Sequence, residues 1–547
     1  MTKWLPKFAI VLGGGTMGSG IANWLAQKGL QIAVIEPSND IIARSKNEIA
    51  SSLNKLESKN KIKIGDAAIF QKAIHYFISP DDVPDDFKKD TDLLIEAVFE
   101  NKELKQQLFA NWDKILPAKT IFASNTSSFL IGSLGKDLSP ERKQNFLGIH
   151  FFNPAPVMPL VEIILPSGGS QTLQQQIIEW LDARGKTPVP CKDAPGFMVN
   201  RIARNFYGEA YKIARYEDQE RFLLIDQVMR QVGTFKMGPF ELMDLIGVDV
   251  NLAVSESVYS AFYGEERFRP GPIQRLLVES GRHGKKCGRG HYTYPRPEVP
   301  EEAQTASTFT FTTENCLVLV DRSPANDFQT QMIAKLKNCS VTLMYFDQHW
   351  SLEDGREHYF DFQYIFDLTI GGKKHKNKLL SYFETHLPKS QVISELTLVW
   401  ADRFFDKFKN LIGGLSLLFP APGLAREFHA RSGQSNEPIN AFYQLLGLHP
   451  ICLPEGAPGF IFPRILSMII NEAYYAVEEN LGTNSDIDLA MEKGVNYPIG
   501  PLQWARRIGP KYIALLLKEL LVTTGEVRYR PCLSLYRHSD RYFGGLR

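Results

Sequence analysis

The chain has 547 residues, a length that exceeds what one hydrophobic core supports and predicts about three or four domains. Its apolar content of 44% and charged content of 22% are typical of a soluble globular protein. The formal net charge is +1, so bulk electrostatics favour neither nucleic acid nor a membrane surface as a partner.

Targeting signals and cysteine spacing bear on location and on metals. No apolar run reaches about 18 residues, and the first residues lack the apolar core of a signal peptide. The six cysteines are scattered, with no CxxC pair and no histidine at metal-ligand spacing. We therefore expect a protein of a reducing compartment, the cytoplasm, with no membrane partner, no nucleic-acid partner and no structural metal.

The N-terminal residues carry a strand, a glycine-rich turn, a helix and a second strand. The apolar run 8–12 ends in a GGGTMG turn, and the second apolar run stops at Glu36. Gly13 permits the tight turn, Gly15 lets the backbone approach a pyrophosphate, and Gly18 lets the helix pack on the strand. A carboxylate about twenty residues after the loop can accept both adenosine ribose hydroxyls and repel a 2′-phosphate. The pattern therefore predicts a dinucleotide site that favours NAD over NADP.

Three later apolar runs, at 93–95, 120–123 and 146–152, predict further strands of a doubly wound α/β sheet. The second of them leads into the polar segment 124–128 (SNTSS). Small polar residues directly after a strand lie where such sheets bind ligands. Ser127 is thus a candidate substrate contact, although a helix N-cap is an equally good interpretation of these residues alone.

The segment 150–162 places an imidazole and a carboxylate twelve residues apart, with a proline-rich turn between two apolar runs. A histidine titrates near neutral pH, so His150 is a natural proton acceptor for an alcohol that is being oxidised. A carboxylate at Glu162 can fix the imidazole tautomer and stabilise the imidazolium. From the spacing alone, a buried structural histidine beside a surface glutamate is an alternative.

The pattern changes near residue 190, where Ala194-Pro195-Gly196 interrupts the chain and a long helical pattern begins at Phe197. This change predicts that a sheet domain ends here and that an all-helical domain follows. Asn200 falls in the first turns of that helix. An asparagine there more often makes a capping or helix–helix hydrogen bond than a ligand contact.

Seven segments resemble, in order, the L-3-hydroxyacyl-CoA dehydrogenases over residues 8–295: GGGTMG, EAVFEN, SNTSS, HFFNPAPVMPLVE, APGFMVNR, MGPFELMDLIG and GKKCGRGHY. The resemblance implies that His150 is the catalytic base, that Glu162 is its carboxylate partner, and that Ser127 and Asn200 position the substrate. It implies NAD as the cofactor and an acyl-CoA thioester as the substrate. Pro159 departs from the lysine of many relatives and should alter the loop between the histidine and the glutamate without removing either.

The resemblance also implies contact residues for both ligands, and none for a metal. The implied NAD contacts are Gly13, Gly15, Thr16, Met17, Gly18, Glu36, Glu96, Asn101 and Lys286. The CoA moiety is implied near Ser52 and Lys59, on the polar helical segment after the second strand. Cations for the CoA phosphates are offered in this region by Lys46, Lys55, Lys59, Lys61 and Lys63.

The second half of the chain repeats motifs of the first half. Residues 194–201 (APGFMVNR) recur as 457–464 (APGFIFPR), and residues 237–242 (MGPFEL) recur as 499–504 (IGPLQW). A third match aligns 153–156 (NPAP) with 419–422 (FPAP). In this register Ser416 falls opposite His150, Pro463 falls opposite Asn200, and Glu427 or Phe428 stands near the place of Glu162. No glycine-rich loop follows the strand-like run at 316–320, so we expect a catalytically inert copy.

The predicted domains are an NAD-binding Rossmann domain (1–190), an all-helical dehydrogenase domain (191–297), a reduced Rossmann-like domain (306–440) and a second helical domain (450–547). A proline-rich linker at 294–300 joins the two halves. We expect the second helical domain to cover an apolar face of the first as an internal pseudo-dimer. Formation of a homodimer by full chains is also open.

The resemblance predicts oxidation of an L-3-hydroxyacyl-CoA to the 3-ketoacyl-CoA in fatty-acid or aromatic-acid catabolism. The candidate substrates are 3-hydroxybutyryl-CoA and 3-hydroxyadipyl-CoA, which the sequence does not separate. Arg267 and Arg269 could contact a distal carboxylate, but exposed surface charge is the commoner role. The alternatives are an NAD dehydrogenase of hydroxy acids or sugar acids that does not require CoA, and a non-catalytic NAD-binding protein.

Overall fold

The computed structural model describes residues 4–296, 309–346 and 362–537. The chain divides into two compact units, Met1–Arg201 with Ala476–Asn496, and Ile202–Tyr475 with Tyr497–Arg547. Parts of the predicted linker (297–300), of the third predicted domain (306–308 and 347–361) and of the fourth (538–547) lie outside the described residues. No helix in the described part of the chain is long and apolar enough to cross a membrane.

The first unit is built on an eight-stranded Rossmann-type sheet. Its strands are β1 (Phe8–Leu12), β2 (Gln31–Ile35), β3 (Ile74–Phe77), β4 (Leu93–Glu96), β5 (Ile121–Ser124), β6 (Phe146–Phe151), β7 (Leu160–Leu165) and β8 (Thr187–Lys192). Their order is β3-β2-β1-β4-β5-β6-β7-β8, and all neighbours are parallel except β6 and β7. In a doubly wound sheet of this kind, ligands bind beyond the carboxyl ends of the strands.

Helices connect these strands and cover the sheet. They are α1 (Thr16–Gln27), α2 (Asn39–Ser58), α3 (Asp66–Lys72), α4 (Asp85–Asp90), α5 (Lys102–Asp113), α6 (Ile131–Leu134), α7 (Pro140–Gln144) and α8 (Gln171–Asp182). Ala9 and Val11 of β1 are fully buried and share one apolar core with Ile21 and Leu25 of α1. Strands that are covered on both faces consist of continuous apolar runs, as β1 and β2 do.

Five helices follow the first sheet: α9 (Val199–Ala214), α10 (Gln219–Gln231), α11 (Pro239–Ile246), α12 (Val248–Ala261) and α13 (Pro272–Glu279). The helical pattern predicted from Phe197 onward is thus present as a run of helices. The six cysteines of the chain are free, and no group of side chains that could hold a metal ion is found among the described residues.

The second unit contains a second sheet with the same order of strands. Its strands are β9 (Cys316–Asp321), β10 (Thr342–Phe346), β11 (Tyr364–Asp367), β12 (Gln391–Glu395), β13 (Leu411–Leu415), β14 (Ala425–Ala430) and β15 (His449–Leu453). They are arranged as β10-β9-β11-β12-β13-β14-β15, and again one pair alone, β13 and β14, is antiparallel. A counterpart of β3 is absent from the described residues, as expected for a reduced copy. The connecting helices are α14 (Asp327–Leu336), α15 (Lys373–His386), α16 (Ala401–Lys407) and α17 (Glu437–Leu445).

A buried ion pair recurs at the same place in the two sheets. Glu96 ends β4, and its Oε1 atom is 2.5 Å from the Nζ atom of Lys105 in the following helix. Asp367 ends β11, and its Oδ2 atom is 2.6 Å from the Nζ atom of Lys376 in the following helix. All four side chains are almost completely buried. This recurrence supports the internal repeat independently of the short motifs.

Parts of the second helical segment pack on the first helical segment inside the second unit. Its helices are α18 (Phe462–Glu478), α19 (Asn484–Gly494), α20 (Pro501–Ile508) and α21 (Pro510–Thr524). The Phe235 ring stacks on the Trp504 ring at a centroid distance of 5.8 Å and meets the Tyr497 ring at 5.0 Å. A Cβ atom on Gly233 would lie 2.7 Å from the Phe462 ring. Aromatic side chains from both copies therefore form one apolar seam.

Three predicted domain limits, 190, 440 and 450, fall inside secondary structure. β8 pairs with β7 as far as Lys192, so the first sheet continues past residue 190. β15 pairs with β14 as far as Leu453, so the second sheet continues past residue 440. Helix α19 belongs to the first unit, where a Cβ atom on Gly494 would lie 2.5 Å from the Leu160 side chain. The helical repeat is thus shared between the two units.

Candidate active site

Two antiparallel strands bring the predicted base and its carboxylate together. β6 and β7 pair so that His150 lies directly opposite Glu162. The Nδ1 atom of His150 is 2.7 Å from the Oε2 atom of Glu162. Both side chains are buried, with exposed fractions of 6% and 0%. The alternative of a surface glutamate is therefore wrong, and the pair has the geometry of an oriented proton acceptor.

The second oxygen of Glu162 is held by the start of α9. Its Oε1 atom accepts hydrogen bonds from the backbone N–H groups of Met198 and Val199, at 3.0 and 2.9 Å. Because the Glu162 carboxylate only accepts, His150 carries its proton on Nδ1 and keeps a lone pair on Nε2. The Phe197 ring lies 5.7 Å from the imidazole centroid and packs beside it.

Asn200 lies at the same end of α9 as this pair. It is the second residue of the helix, and it follows Val199, whose N–H group binds Glu162. Its side chain is half-buried. The break at residues 194–196 therefore sets the start of a helix whose first turn contributes both to the dyad and to the predicted substrate contact.

Ser127 follows β5 and is held by an acid that the sequence analysis did not single out. Its N–H group donates to the Oε1 atom of Glu100 at 2.9 Å, and its hydroxyl group donates to the same atom at 3.2 Å. Asn125 accepts the Phe151 N–H at 2.8 Å, which ties this segment to β6. The next helix, α6, has Leu130 as its N-cap, so Ser127 does not cap it. The motifs EAVFEN and SNTSS contain Glu100 and Asn125 and were the available signal for them.

The glycine-rich loop between β1 and α1 has the backbone that its motif predicts. Gly13 has a φ of 99°, and a Cβ atom there would lie 2.7 Å from the Ala97 carbonyl oxygen. A Cβ atom on Gly18 would lie 1.9 Å from the Gly13 carbonyl oxygen. A Cβ atom on Gly15 would meet nothing within 4 Å. The open space beside Gly15, at the N-terminus of α1, fits the pyrophosphate of a dinucleotide.

Glu36 follows β2 directly and lies against this loop. Its Oε2 atom accepts the Gly14 N–H at 2.9 Å, and its Oε1 atom accepts the Ser38 N–H at 3.1 Å. An acid at the end of the second strand is placed to bind the adenosine ribose of NAD. Thr16 and Met17 are the first two residues of α1, where backbone N–H groups lack helical acceptors. These residues together fit NAD.

Three other residues implied as NAD contacts already have protein partners. Glu96 is fully buried and bound by Lys105, so its side chain supports the turn after β4 rather than a cofactor. Burial raises the pKa of Glu96 despite the lysine. Asn101 is the N-cap of α5 and accepts a backbone N–H there. Lys286 belongs to the second unit, where its Nζ atom is 2.7 Å from the Asp249 carboxylate.

Helix α2 carries the residues implied for CoA. Ser52 lies within the helix and is half-buried, and Lys59 is exposed directly after the last helical residue. They are seven positions apart in the sequence, about two helical turns, so they share one face of the helix. Lys55 is exposed as well, so this end of the helix offers cations to solvent.

The second copy reproduces the strand pair of the dyad without its histidine. The Ser416 N–H donates to the Glu427 carbonyl oxygen at 3.1 Å, so these residues occupy the positions of the base and its partner. The Glu427 carboxylate accepts the Ile461 N–H at 2.6 Å, as the dyad glutamate accepts its own backbone donors. Of the two residues that the sequence left open, Glu427 and Phe428, the structure selects Glu427. Burial raises the pKa of its carboxyl group to about 8.

The two arginines considered for a distal carboxylate have different environments. Arg267 is only 8% exposed, and its Nε atom is 2.9 Å from the Oε2 atom of Glu472. Arg269 is exposed and lies 3.4 Å from Glu266. The interpretation as exposed surface charge is therefore wrong for Arg267, because the arginine is part of a buried ion pair.

The fold and the glycine-rich loop together define an NAD-binding dehydrogenase, in which a buried histidine pairs with a glutamate. A family model described as "3-hydroxyacyl-CoA dehydrogenase, NAD binding domain" matches residues 9–194. A second one, "3-hydroxyacyl-CoA dehydrogenase, C-terminal domain", matches residues 196–294 and again 459–542. The second match agrees with the repeat seen in the sequence.

Three relatives show how far the similarity extends. "3-Hydroxyadipyl-CoA dehydrogenase" of Escherichia coli (strain K12) is 32% identical over 524 residues, which are 95% of each chain. The mitochondrial "hydroxyacyl-coenzyme A dehydrogenase" of Homo sapiens is 37% identical over 53% of this chain and 92% of its own. A crystal structure of 3-hydroxybutyryl-CoA dehydrogenase from Escherichia coli K12 superposes with a TM-score of 0.75 at 28% identity, covering 99% of this chain and 100% of the other.

The chain therefore belongs to the 3-hydroxyacyl-CoA dehydrogenase family. It is an oxidoreductase that uses NAD and acts on acyl-CoA thioesters.

Proposed function

We propose that His150 is the base that accepts the hydroxyl proton when an L-3-hydroxyacyl-CoA is oxidised to the 3-ketoacyl-CoA. The observation that supports this role is the buried pair of His150 and Glu162, at 2.7 Å. Bound NAD supplies the acceptor for the hydride that leaves C3. The strands β6 and β7, which carry this pair, belong to the same sheet as β1, and the loop that fits NAD follows β1.

The proton moves to the Nε2 atom of His150, because Nδ1–H is committed to Glu162. The imidazolium that forms is stabilised by the Glu162 carboxylate, which the N–H groups of Met198 and Val199 keep in place. General base catalysis of this kind contributes about a hundredfold to ten-thousandfold in rate. Reduction of the ketone runs through the same atoms in reverse.

Ser127 and Asn200 position the substrate in this proposal. Both lie in the first unit with the dyad, at the end of β5 and the start of α9. Glu100 orients Ser127 through its backbone and its hydroxyl group. The CoA moiety lies on the face of α2 that presents Ser52 and Lys59.

The NAD contacts in this proposal come mainly from the loop after β1. They are Gly13, Gly15, Thr16, Met17, Gly18, Glu36, Asn101 and Lys286. Glu96 is removed from the set as a side-chain contact, because Lys105 already binds its carboxylate. Lys286 is retained because its ammonium group is partly exposed beside Asp249.

At the level of the whole chain, we propose a cytoplasmic enzyme with four domains. Two Rossmann-type domains each precede a helical segment, and the second set serves as a pseudo-dimer partner for the first. The aromatic seam of Phe235, Tyr497 and Trp504 supports this arrangement. A homodimer of full chains remains compatible with it, and no partner of another class is proposed.

The proposed substrates are 3-hydroxybutyryl-CoA and 3-hydroxyadipyl-CoA. A solved structure of a 3-hydroxybutyryl-CoA dehydrogenase covers 99% of this chain. A relative with the name 3-hydroxyadipyl-CoA dehydrogenase covers 95% of it. Measurement of kcat/KM on both thioesters ranks them. A preference for the adipyl thioester of tenfold or more, about 1.4 kcal/mol, would assign the chain to dicarboxylic acyl groups.

A single assay separates this proposal from its alternatives. We expect the full chain to consume NADH with acetoacetyl-CoA and to show almost no rate with free acetoacetate. Equal rates on both would identify a hydroxy-acid dehydrogenase that ignores CoA. No rate on any thioester would identify a non-catalytic NAD-binding protein.

A further inference from the structure

The two helical copies exchange buried ion pairs inside the second unit. Residues 264–270 (GEERFRP) recur as 525–531 (GEVRYRP), and Glu209 recurs as Glu472 in matching EAY segments. The Arg267 Nε atom is 2.9 Å from Glu472 Oε2, and the Arg528 Nε atom is 3.4 Å from Glu209 Oε2. The arginine of each copy thus pairs with the glutamate of the other copy, as matching residues do across a two-fold interface.

A second pair of matching arginines breaks this symmetry. Arg201 and Arg464 end the two APGF motifs. Arg201 binds Glu479 with two hydrogen bonds, at 2.6 and 2.9 Å. Glu479 lies seven residues after one EAY glutamate, and at the same spacing after Glu209 the chain has Tyr216. The first helical copy therefore lacks the carboxylate that would serve Arg464.

Glu209 consequently serves two arginines. The Nε atom of Arg464 donates to its Oε1 atom, and Arg528 lies 3.4 Å from its Oε2 atom. Arg464 is 6% exposed, Arg528 is 2% exposed and Glu209 is fully buried. Two buried guanidinium groups with one carboxylate between them leave a positive charge, which is costly away from bulk water.

Arg528 also has an unused donor. Its buried Nη2 atom has no hydrogen-bond partner among the described residues. A Cβ atom on Gly208 would lie 3.3 Å from this nitrogen, and Gly208 and Arg528 both line one cavity. A buried donor without a partner costs about 1–3 kcal/mol, more when it is charged. This donor adds to the cost of the excess positive charge, which an anion in the cavity would offset.

The cavity has the size and chemistry of a small-molecule site. Its volume is about 590 Å³, within the usual range of about 300–1,000 Å³ for ligand pockets. Its lining includes the cations Lys212, Arg215, Arg269, Arg464 and Arg528 and one carboxylate, Glu526, which lies 2.8 Å from Lys212. Trp400 and Leu520 contribute apolar surface to the lining. A ligand with an anionic end and an apolar body matches this excess of cations and this apolar surface.

We propose that this cavity binds a small organic anion, whose carboxylate or phosphate group supplies the counter-charge that Glu479 supplies to Arg201. The anionic group lies against the cationic side chains of the lining, which include Arg464 and Arg528, and the body of the ligand packs against Trp400 and Leu520. This site uses neither His150 nor the NAD loop, so it is separate from the dehydrogenase chemistry.

Calorimetric titration of the full chain tests this site with three probes: inorganic phosphate, adipate and coenzyme A. We expect at least one of them to bind, and the pattern distinguishes phosphate from carboxylate as the preferred group. Coenzyme A is also expected to bind at the substrate site. Its binding is therefore assigned to this cavity only if the variants described here weaken it. Arg528→Met should weaken binding of the effective probe about tenfold or more, because one of the two guanidinium groups that share Glu209 is removed and the excess positive charge at the cavity is lost. Arg528→Lys should recover part of the affinity.

A second variant, at an exposed position, distinguishes a loss of binding from misfolding of the Arg528→Met protein. Arg215→Glu changes an exposed lining residue and places a negative charge at the cavity. It should abolish binding of the effective probe while the dehydrogenase rate is kept. Arg275→Glu is the matched control, since Arg275 is exposed, pairs with Glu279 and does not line the cavity. The proposal is overturned if no probe binds the wild type, or if Arg528→Met and Arg215→Glu bind as the wild type does.

Discussion

Glu36 makes contacts that link coenzyme choice to the shape of the glycine-rich loop. Its carboxylate accepts N–H groups from Gly14 and Ser38, so it is oriented before any ligand arrives. Because a fixed carboxylate at this position repels a 2′-phosphate, the wild type should use NADH and nearly exclude NADPH.

Replacement of Glu36 tests this directly. Glu36→Ala should raise the KM for NADH and reduce the preference for NADH over NADPH by about tenfold or more, because one charge-assisted contact and one repulsion are lost. The measurement is kcat/KM with each coenzyme at saturating acetoacetyl-CoA. A wild type that uses NADPH as well as NADH would contradict the assignment.

Glu427 occupies the place of the dyad glutamate in the second copy but faces Ser416 instead of a histidine. Burial raises its pKa to about 8. The raised value means that the fold favours the neutral carboxyl group. Its contribution to stability is therefore fully present below the unfolded pKa of about 4.3 and is lost as the pH rises through about 8.

Glu427→Gln should remove this pH dependence, because the amide keeps the shape and carries no charge. We expect wild-type Tm to fall between pH 5 and pH 9, and the variant to fall less, with a Tm higher by about 2–4 °C or more at pH 9. The check is a series of thermal unfolding curves. Parallel curves for the two proteins across this range would show that Glu427 does not titrate as inferred.

At the scale of elements, the loop between β1 and α1 separates two roles of glycine. Gly18 is needed for packing, since a Cβ atom there would lie 1.9 Å from a backbone oxygen. Gly15 has no such packing reason, since a Cβ atom there meets no protein atom within 4 Å, so we expect the ligand to require it. Gly15 also has a φ of −68°, which an alanine adopts without strain.

The two positions therefore predict different failures. Gly15→Ala should fold with a wild-type Tm but bind NADH at least about tenfold more weakly, because the methyl group occupies space for the pyrophosphate. Gly18→Ala should lower stability by about 1–3 kcal/mol through overpacking. Thermal unfolding without ligand and fluorescence titration of NADH measure the two effects. If Gly15→Ala binds NADH normally, the pyrophosphate does not lie beside Gly15.

Many features of these elements are predictable from short sequence patterns. The apolar runs, the GGGTMG turn and the acid after β2 each report a short-range constraint, so the sequence predicts them. The sequence does not predict that Lys105 is the buried partner of Glu96, because a lysine in a polar helix is usually exposed at the surface. Glu100 was missed for a similar reason: its contact with Ser127 joins loops that follow two different strands.

For the molecule as a whole, the second half of the chain contributes to the structure around the His150–Glu162 pair. The Lys192 N–H, at the end of β8, donates to the Leu481 carbonyl oxygen at 3.1 Å. A Cβ atom on Gly482 would lie 2.4 Å from the Met198 side chain, and Met198 binds Glu162. Residues 476–496 therefore pack against the strands and the helix start that hold His150 and Glu162 in place. The short motifs indicate the repeat but not the placement of residues 476–496 in the first unit, because that placement depends on long-range packing.

A chain that ends at residue 297 should expose the surfaces that α19 and the aromatic seam cover. We expect it to aggregate or to dimerise, because an apolar surface of that kind is rarely left exposed. Light scattering of the shortened protein beside the full chain checks this expectation. A monomeric, active shortened protein would show that the second half has another role.

If His150 accepts the substrate proton, the variant His150→Gln should lose the reaction. His75→Gln is the matched control, because His75 is an exposed histidine on β3 of the same sheet. The measurement is the rate of NADH consumption with acetoacetyl-CoA, together with NADH affinity by fluorescence. We predict that His150→Gln lowers kcat by about a hundredfold or more with NADH affinity unchanged, while His75→Gln behaves as the wild type. A His150→Gln enzyme that keeps most of the wild-type rate would contradict the account.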